Sequence, residues 1–175
     1  MRVYTEINHP EKVLIVSDTH ANNEFLGRVL LDHQDCQSII HLGDEPDDLD
    51  CFEELLEKKN IFFIYGIYHP LWKRSNSCIS FMINDLNFVI AHALQHLHFV
   101  AMKSIYCFGH THHKYFEQTE DKVLINPGHL KKSIDRGEPA GYVVLEISDV
   151  VKVLSYQYPN QIIEEYNINF RKNYY

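Results

Sequence analysis

Short apolar runs alternate with amphipathic stretches along the first part of the chain. Residues 12–17 (KVLIVS) form a β-branched run that ends at Asp18, and residues 23–33 then carry apolar side chains at 25, 26, 29 and 30, the spacing of one helical face. Residues 38–42 give a second apolar run, broken by Gly43-Asp44, and residues 47–58 place Leu49, Phe52, Leu55 and Leu56 on one helical stripe. Residues 61–65 read as a third strand. Strands and helices in this alternation predict a parallel sheet with helices packed on it, and ligands gather beyond the carboxyl ends of such strands.

The second half changes character. Residues 78–83 and 87–91 flank Asn84-Asp85, a tight hairpin signal, and residues 114–118 and 122–125 flank Thr119-Glu120-Asp121 in the same way. Residues 142–147 and 151–158 add two strands, and one short helix is predicted around 95–104. This half is expected to be strand-rich and largely antiparallel, and the whole to be a two-sheet α/β sandwich. Residues 1–11 and 159–175 fall outside the periodic core. In the tail, Tyr166, Phe170, Tyr174 and Tyr175 suit cover of a sheet edge or of a neighbouring subunit as well as they suit disorder.

A length of 175 residues fits one well-buried core, so residues 1–175 are expected to form a single domain with its core at about 12–158. The content, 45% hydrophobic and 23% charged, is that of a soluble globular protein, and no stretch approaches the roughly 20 apolar residues of a membrane helix. The opening MRVYTEINHPEK lacks the apolar run of a secretory signal, which predicts a cytoplasmic protein with no membrane partner. A formal charge of -8, with basic runs limited to short pairs such as Lys131-Lys132, argues against nucleic acid as a stable partner. The four cysteines, Cys36, Cys51, Cys78 and Cys107, lie far apart in apolar stretches and read as reduced core residues.

Candidate chemistry enters through the twelve histidines, whose positions matter more than their number. Strand ends finish in Asp18-Thr19-His20, in Gly43-Asp44, in Ala91-His92-Ala93 and in Gly109-His110-Thr111-His112. Residues two apart in an extended segment project to one side, so Asp18 with His20, and His110 with His112, can each present two ligands to one cavity. Any one of these suits a hydrogen-bonded core histidine or a helix-capping aspartate. Gathered at consecutive strand ends, they would repel or remain unsatisfied unless cations sat between them.

The order SDTH, HLGD, a glycine-led third element, AH, GHTH and INPG resembles the small calcineurin-like metallophosphoesterases of the bacterial and archaeal phosphodiesterase type, over residues 12–158. The resemblance implies a four-layer α/β/β/α sandwich. It also implies that Asp18, His20 and His112 hold one metal, that Asp44 bridges two, and that His92 and His110 hold the second. Carboxylate and imidazole ligands without thiolate suit Mn, Fe, Zn or Co, so two divalent transition metals are the expected cofactors. The implied reaction is phosphodiester hydrolysis, in which a metal pair roughly 3.5–4 Å apart generates a hydroxide that attacks phosphorus in line. Asn126-Pro127-Gly128 resembles the family's NPG and reads as a rim-shaping turn. His129 follows it where relatives carry a small serine, which leaves a further ligand or a phosphate contact open.

The third element departs from the pattern. The family has Gly-Asn followed by His or Cys and then Asp, with the Asn oxygen on the second metal; here the residues are Gly66, Ile67, Tyr68 and His69. Isoleucine offers no lone pair, so the second metal is expected to bind more weakly or to recruit another ligand. Tyr68 stands in the position that assists the leaving group, although a reference pKa near 10 makes it a poor acid. His69 is better matched, but it precedes Pro70 and is biased to extended backbone. Tyr68 and His69 are the catalytic candidates. The retromer scaffold subunit, with the same fold and an eroded site, supplies the alternative of a metal-binding scaffold or regulatory protein. A phosphorylated small molecule or phosphodiester is the expected substrate, selected by residues 68–77 with Trp72, Lys73 and Arg74 and by residues 94–98. Homo-oligomerisation stays open.

Overall fold

A computed structural model describes residues 11–168. In chain order, β1 (Glu11–Val16) leads to helix α1 (Asn23–Asp32) and β2 (Ser38–His41), and the 3-10 segment Pro46–Phe52 continues into the one-turn α2 (Glu53–Leu56) before β3 (Asn60–Phe63). Then come β4 (Cys78–Ile83), β5 (Leu86–Ala91), β6 (Ser104–Cys107), β7 (Tyr115–Gln118) and β8 (Lys122–Asn126). The short β9 (Ile134–Asp135) and β10 (Glu138–Pro139) pair with each other, and β11 (Gly141–Ile147), β12 (Val151–Gln157) and β13 (Gln161–Ile168) follow.

One sheet has six strands in the order β13-β12-β11-β1-β2-β3, the other five in the order β4-β5-β6-β8-β7. Strict alternation along the strands explains the stacking. Val13 and Ile15 of β1, with Val143 and Leu145 of β11, join Phe88, Ile90, Ile105, Cys107, Val123 and Ile125 in the core between the sheets. Leu14, Val16, Tyr142 and Val144 point the other way, onto Leu26, Val29 and Leu30 of α1 and Leu49. Val89, Ala91, Tyr106 and Phe108 face outward on the second sheet, where Leu97 covers them. Strands covered on both faces read as unbroken apolar runs.

The sandwich is the expected one, with particular differences. Residues 95–104 do not form the predicted helix: a 3-10 turn at Leu94–His96 is followed by irregular chain, and Ser104 already belongs to β6. The fourth layer is correspondingly thin, pinned where Val100 N–H donates to the Tyr106 hydroxyl at 3.0 Å. The second half is also less antiparallel than expected, because β5, β6 and β8 run parallel and only β4 and β7 oppose their neighbours. β6 is four residues, all buried, and a buried run that short carries no periodicity to separate strand from helix. The stripe at Leu49, Phe52, Leu55 and Leu56 does pack under the first sheet, but mostly as 3-10 turns entered through Glu45 at φ 71° and Pro46.

The tail is ordered through Ile168 as β13, and Tyr166 stacks on Phe116 of the other sheet at 3.9 Å between ring centroids. Phe170, Tyr174 and Tyr175 lie outside the described residues. The four cysteines are free thiols; Cys36 and Cys107 are buried as expected, whereas Cys51 is exposed. Among the described residues no helix is long and apolar enough to cross a membrane.

Candidate metal centre

The loops that follow β1, β2, β5 and β6 converge at one edge of the sandwich, beyond the carboxyl ends of parallel strands. Their backbone is not extended. Asp18, His20, Asp44, His110 and His112 have φ of 52°, 48°, 50°, 69° and 66°, all left-handed. Asp18 and His20 still join one group, as residues two apart were expected to, whereas His110 and His112 turn into different groups, the division that the motif resemblance implies. One group joins Asp18, His20, Asp44 and His112, the other Asp44, His92 and His110, with the ligand atoms in each within 4.8 Å of one another. Asp44 belongs to both. Left-handed residues other than glycine cost on the order of 1–3 kcal/mol each and persist where surrounding structure over-determines them.

In the first group Asp18 is fully buried. Its Oδ2 accepts from the Ser17 hydroxyl and from His110 N–H, while Oδ1 has no hydrogen bond and lies 3.3 Å from His112 Nε2. His112 Nδ1 lies 2.6 Å from Asp135 Oδ2, which assigns the ring proton to Nδ1 and leaves an Nε2 lone pair facing inward. That lone pair meets His20 Nε2 at 3.4 Å. Burial works against an ionised Asp18, yet its neighbours His112, His92 and Ser17 hold the carboxyl below its ordinary range. Burial lowers the pKa of His20 and of His110, favouring the neutral imidazoles that metals bind.

The second group is built the same way. His92 is fully buried, its Nδ1 donates to the Leu42 carbonyl at 2.7 Å, and its Nε2 has no partner. Asp44 Oδ1 lies 3.4 Å from His92 Nε2 and Asp44 Oδ2 lies 3.5 Å from His20 Nε2, so each group receives one oxygen. The His92 and His110 rings meet edge to face at 5.0 Å. Buried acceptors pointed at one another with no donor are costly unless a cation lies among them, and the orphaned Asp18 Oδ1 and His92 Nε2 are such acceptors. The residues present fit divalent metals.

Neighbours hold these loops in place. A Cβ on Gly66 would lie 1.9 Å from Asp44 Oδ1, and one on Gly109 would lie 2.0 Å from Ser17 Oγ and 2.7 Å from Asp18 Oδ2, so at both points only glycine lets the chain approach a candidate ligand. The Asn126 amide donates to the Gly109 carbonyl and the Thr111 hydroxyl, each at 3.0 Å, and thereby shapes the GHTH loop. Thr19 donates to Asp48 Oδ2 at 2.6 Å, which also accepts from Ala21 N–H. Buried His41 accepts from Gly43 N–H and meets the Thr19 hydroxyl. Sequence reasoning missed Ser17, His41, Asp48 and Asp135. Ser17 and His41 open the SDTH and HLGD motifs, but Asp135 in KKSIDRG carries no motif signal at all.

Tyr68 and His69 do not join either group. His69 Nε2 lies 3.1 Å from Asp47 Oδ2, its Nδ1 accepts from Leu71 N–H, and its ring stacks on Tyr65 at 4.2 Å. Both nitrogens are thus engaged away from the cluster. Tyr68 is 79% exposed and has no hydrogen bond among the described residues. Ile67 is half-buried and supplies no donor atom. His129 is buried beside His112, ring to ring at 5.2 Å, with Nε2 donating to the Glu138 carbonyl; it stands outside both groups. Lys73 and Arg74 are exposed on a 3-10 turn whose Trp72 meets His96 at 5.1 Å, joining the two loops expected to select substrate.

A two-sheet sandwich with buried carboxylate and imidazole acceptors at its parallel strand ends defines an α/β/β/α protein with a candidate metal centre. Residues 12–150 match the model of the calcineurin-like phosphoesterase superfamily domain, and the chain belongs to that family. It is 30% identical over 139 residues to a phosphodiesterase of Methanocaldococcus jannaschii, covering 67% of this chain and 82% of that protein. Its fold is similar to that of Yfce, a phosphoesterase from E. coli, at TM-score 0.69 and 19% identity over 90% of this chain and all (100%) of the other. It is also similar to Vps29 from Entamoeba histolytica, solved with zinc, at TM-score 0.60 and 17% identity over 91% and 99% of the two chains. Family membership supports metal-dependent phosphoester chemistry in general.

Proposed function

We propose that the chain hydrolyses a phosphodiester at a two-metal centre, with Asp18, His20, Asp44 and His112 holding one divalent cation and Asp44, His92 and His110 the other. The observation that carries this reading is the division of Asp44, whose two oxygens face separate groups of inward-turned acceptors. Two divalent cations so held supply activation of water and neutralisation of phosphate charge. The chain's own part is orientation. The Asp135 carboxylate and the Leu42 carbonyl accept hydrogen bonds from Nδ1–H of His112 and His92, leaving both Nε2 atoms as acceptors. Ser17 and His110 N–H hold Asp18 by one oxygen and free the other.

The phosphodiesterase name of the archaeal relative supports the diester over the monoester. Turnover of bis(p-nitrophenyl) phosphate with added Mn2+, compared in wild type and Asp44→Asn, tests the reading. Because losing an outer partner alone costs about 10–100-fold, losing the shared ligand is expected to cost more than about 100-fold. Metal-loaded wild type that cleaves neither diester nor monoester would overturn it.

A second reading, a metal-stabilised scaffold or regulatory protein, is favoured by Ile67 and by the engagement of His69 with Asp47 and Leu71. It predicts one metal per chain and a metal-dependent melting temperature with no turnover. Metal stoichiometry separates the two.

A further inference from the structure

The short β9–β10 hairpin grips the loop that carries His110 and His112. Asp135 Oδ2 accepts from His112 Nδ1 at 2.6 Å, and both residues are buried. The next residue, Arg136, donates from one terminal nitrogen to the carbonyls of His110 at 2.9 Å and Thr111 at 3.3 Å. Lys132 Nζ lies 3.0 Å from Asp135 Oδ1, the oxygen that His112 does not use. The two carboxylate oxygens are therefore divided: one meets the histidine, the other pairs with the exposed Lys132.

Resting on the metal-site reading above, we propose that Asp135 is a positioning residue that sets the affinity of the Asp18–His20–His112 site. A neutral imidazole can carry its proton on either nitrogen. With the proton on Nε2, His112 would donate to Asp18 Oδ1, 3.3 Å away, and could not bind a cation. A carboxylate on Nδ1 removes that state, fixes the ring and strengthens the Nε2 lone pair as a donor to metal. Nothing in the ordered motifs specifies this residue. Its place in the fold does, because the hairpin turns Asp135 back beneath His112.

The test measures Mn2+ affinity by competition against a fluorescent chelator, together with nitrogen-15 spectra of the histidine rings in metal-free protein. Wild type is expected to show His112 protonated at Nδ1. Asp135→Ala is expected to lose about 10–100-fold in affinity at the tighter site and to shift the His112 tautomer toward Nε2–H, while Asp135→Asn, which keeps an acceptor oxygen, falls between. A purely structural role would lower the melting temperature and leave affinity alone. Folded Asp135→Ala with wild-type affinity overturns the proposal. So does wild-type His112 protonated at Nε2, a measurement that needs no variant to fold. Wild type that binds no Mn2+ overturns the metal-site reading itself, and this proposal with it.

Discussion

His20 and His112 meet through their Nε2 atoms at 3.4 Å, although Asp135 already holds the Nδ1 side of His112. The His112 nitrogen in this contact is an acceptor, with Asp18 Oδ1 as a further acceptor at 3.3 Å. Asp18 Oδ1 and the His112 Nε2 lone pair face each other with no donor between them, a repulsion that a cation relieves. Added Mn2+ or Zn2+ is therefore expected to raise the melting temperature, and at a free concentration of 100 times the dissociation constant the gain is about 2.7 kcal/mol. Calorimetry with and without chelator checks this; an unshifted transition would contradict it.

Ile67 offers no oxygen where the motif resemblance implies an asparagine at the proposed second metal. Ile67→Asn is predicted to tighten the weaker site by about 10-fold, the low end of what one supporting group contributes. Titration of Mn2+ followed by calorimetry would show the second binding step move to lower concentration. No movement would mean that residue 67 does not face the site.

Gly66 has no room for a side chain, since a Cβ would overlap Asp44 Oδ1 at 1.9 Å. Gly66→Ala must displace either the loop or the shared carboxylate, with a stability cost of about 1–3 kcal/mol typical of overpacking. Denaturant unfolding and metal stoichiometry together check the claim. The variant should unfold earlier and bind less metal, and retention of both would refute the close approach.

His41 is fully buried, and burial pushes its pKa down to about 4 from 6.5. The unfolded chain takes up this proton as pH falls below about 6.5, while the folded chain resists it, so acid favours unfolding over this window. The full effect is on the order of 3 kcal/mol, present above about pH 6.5 and lost as pH approaches 4. In metal-free protein, His41→Asn keeps an acceptor for Gly43 N–H and should show a shallower fall in stability between about pH 6.5 and 5. Equal slopes would assign the acid sensitivity to other groups.

Much of this molecule is legible in its sequence. The first three strands, the amphipathic helix and the two hairpins each carry a local pattern that burial enforces, and the ligand residues sit where those patterns break. β6 was not legible, because Ser104–Cys107 is buried on both faces and too short to show a period. The division of His110 and His112 between two groups follows the motif resemblance, whereas residue spacing alone did not show it, since the left-handed backbone that produces it leaves no trace in spacing. Asp135 and the His69–Asp47 contact were hidden for a different reason. Each depends on which remote segment folds back against a loop, and that is decided by tertiary packing.

Asp44 is proposed to join two cations. A crystal soaked in Mn2+, with diffraction collected at the manganese edge, tests it most directly. Two anomalous peaks are expected roughly 3.5–4 Å apart on either side of the Asp44 carboxylate, the fuller one beside His20 and His112. No peak in the folded protein, or a single peak touching only one Asp44 oxygen at saturating metal, would contradict it.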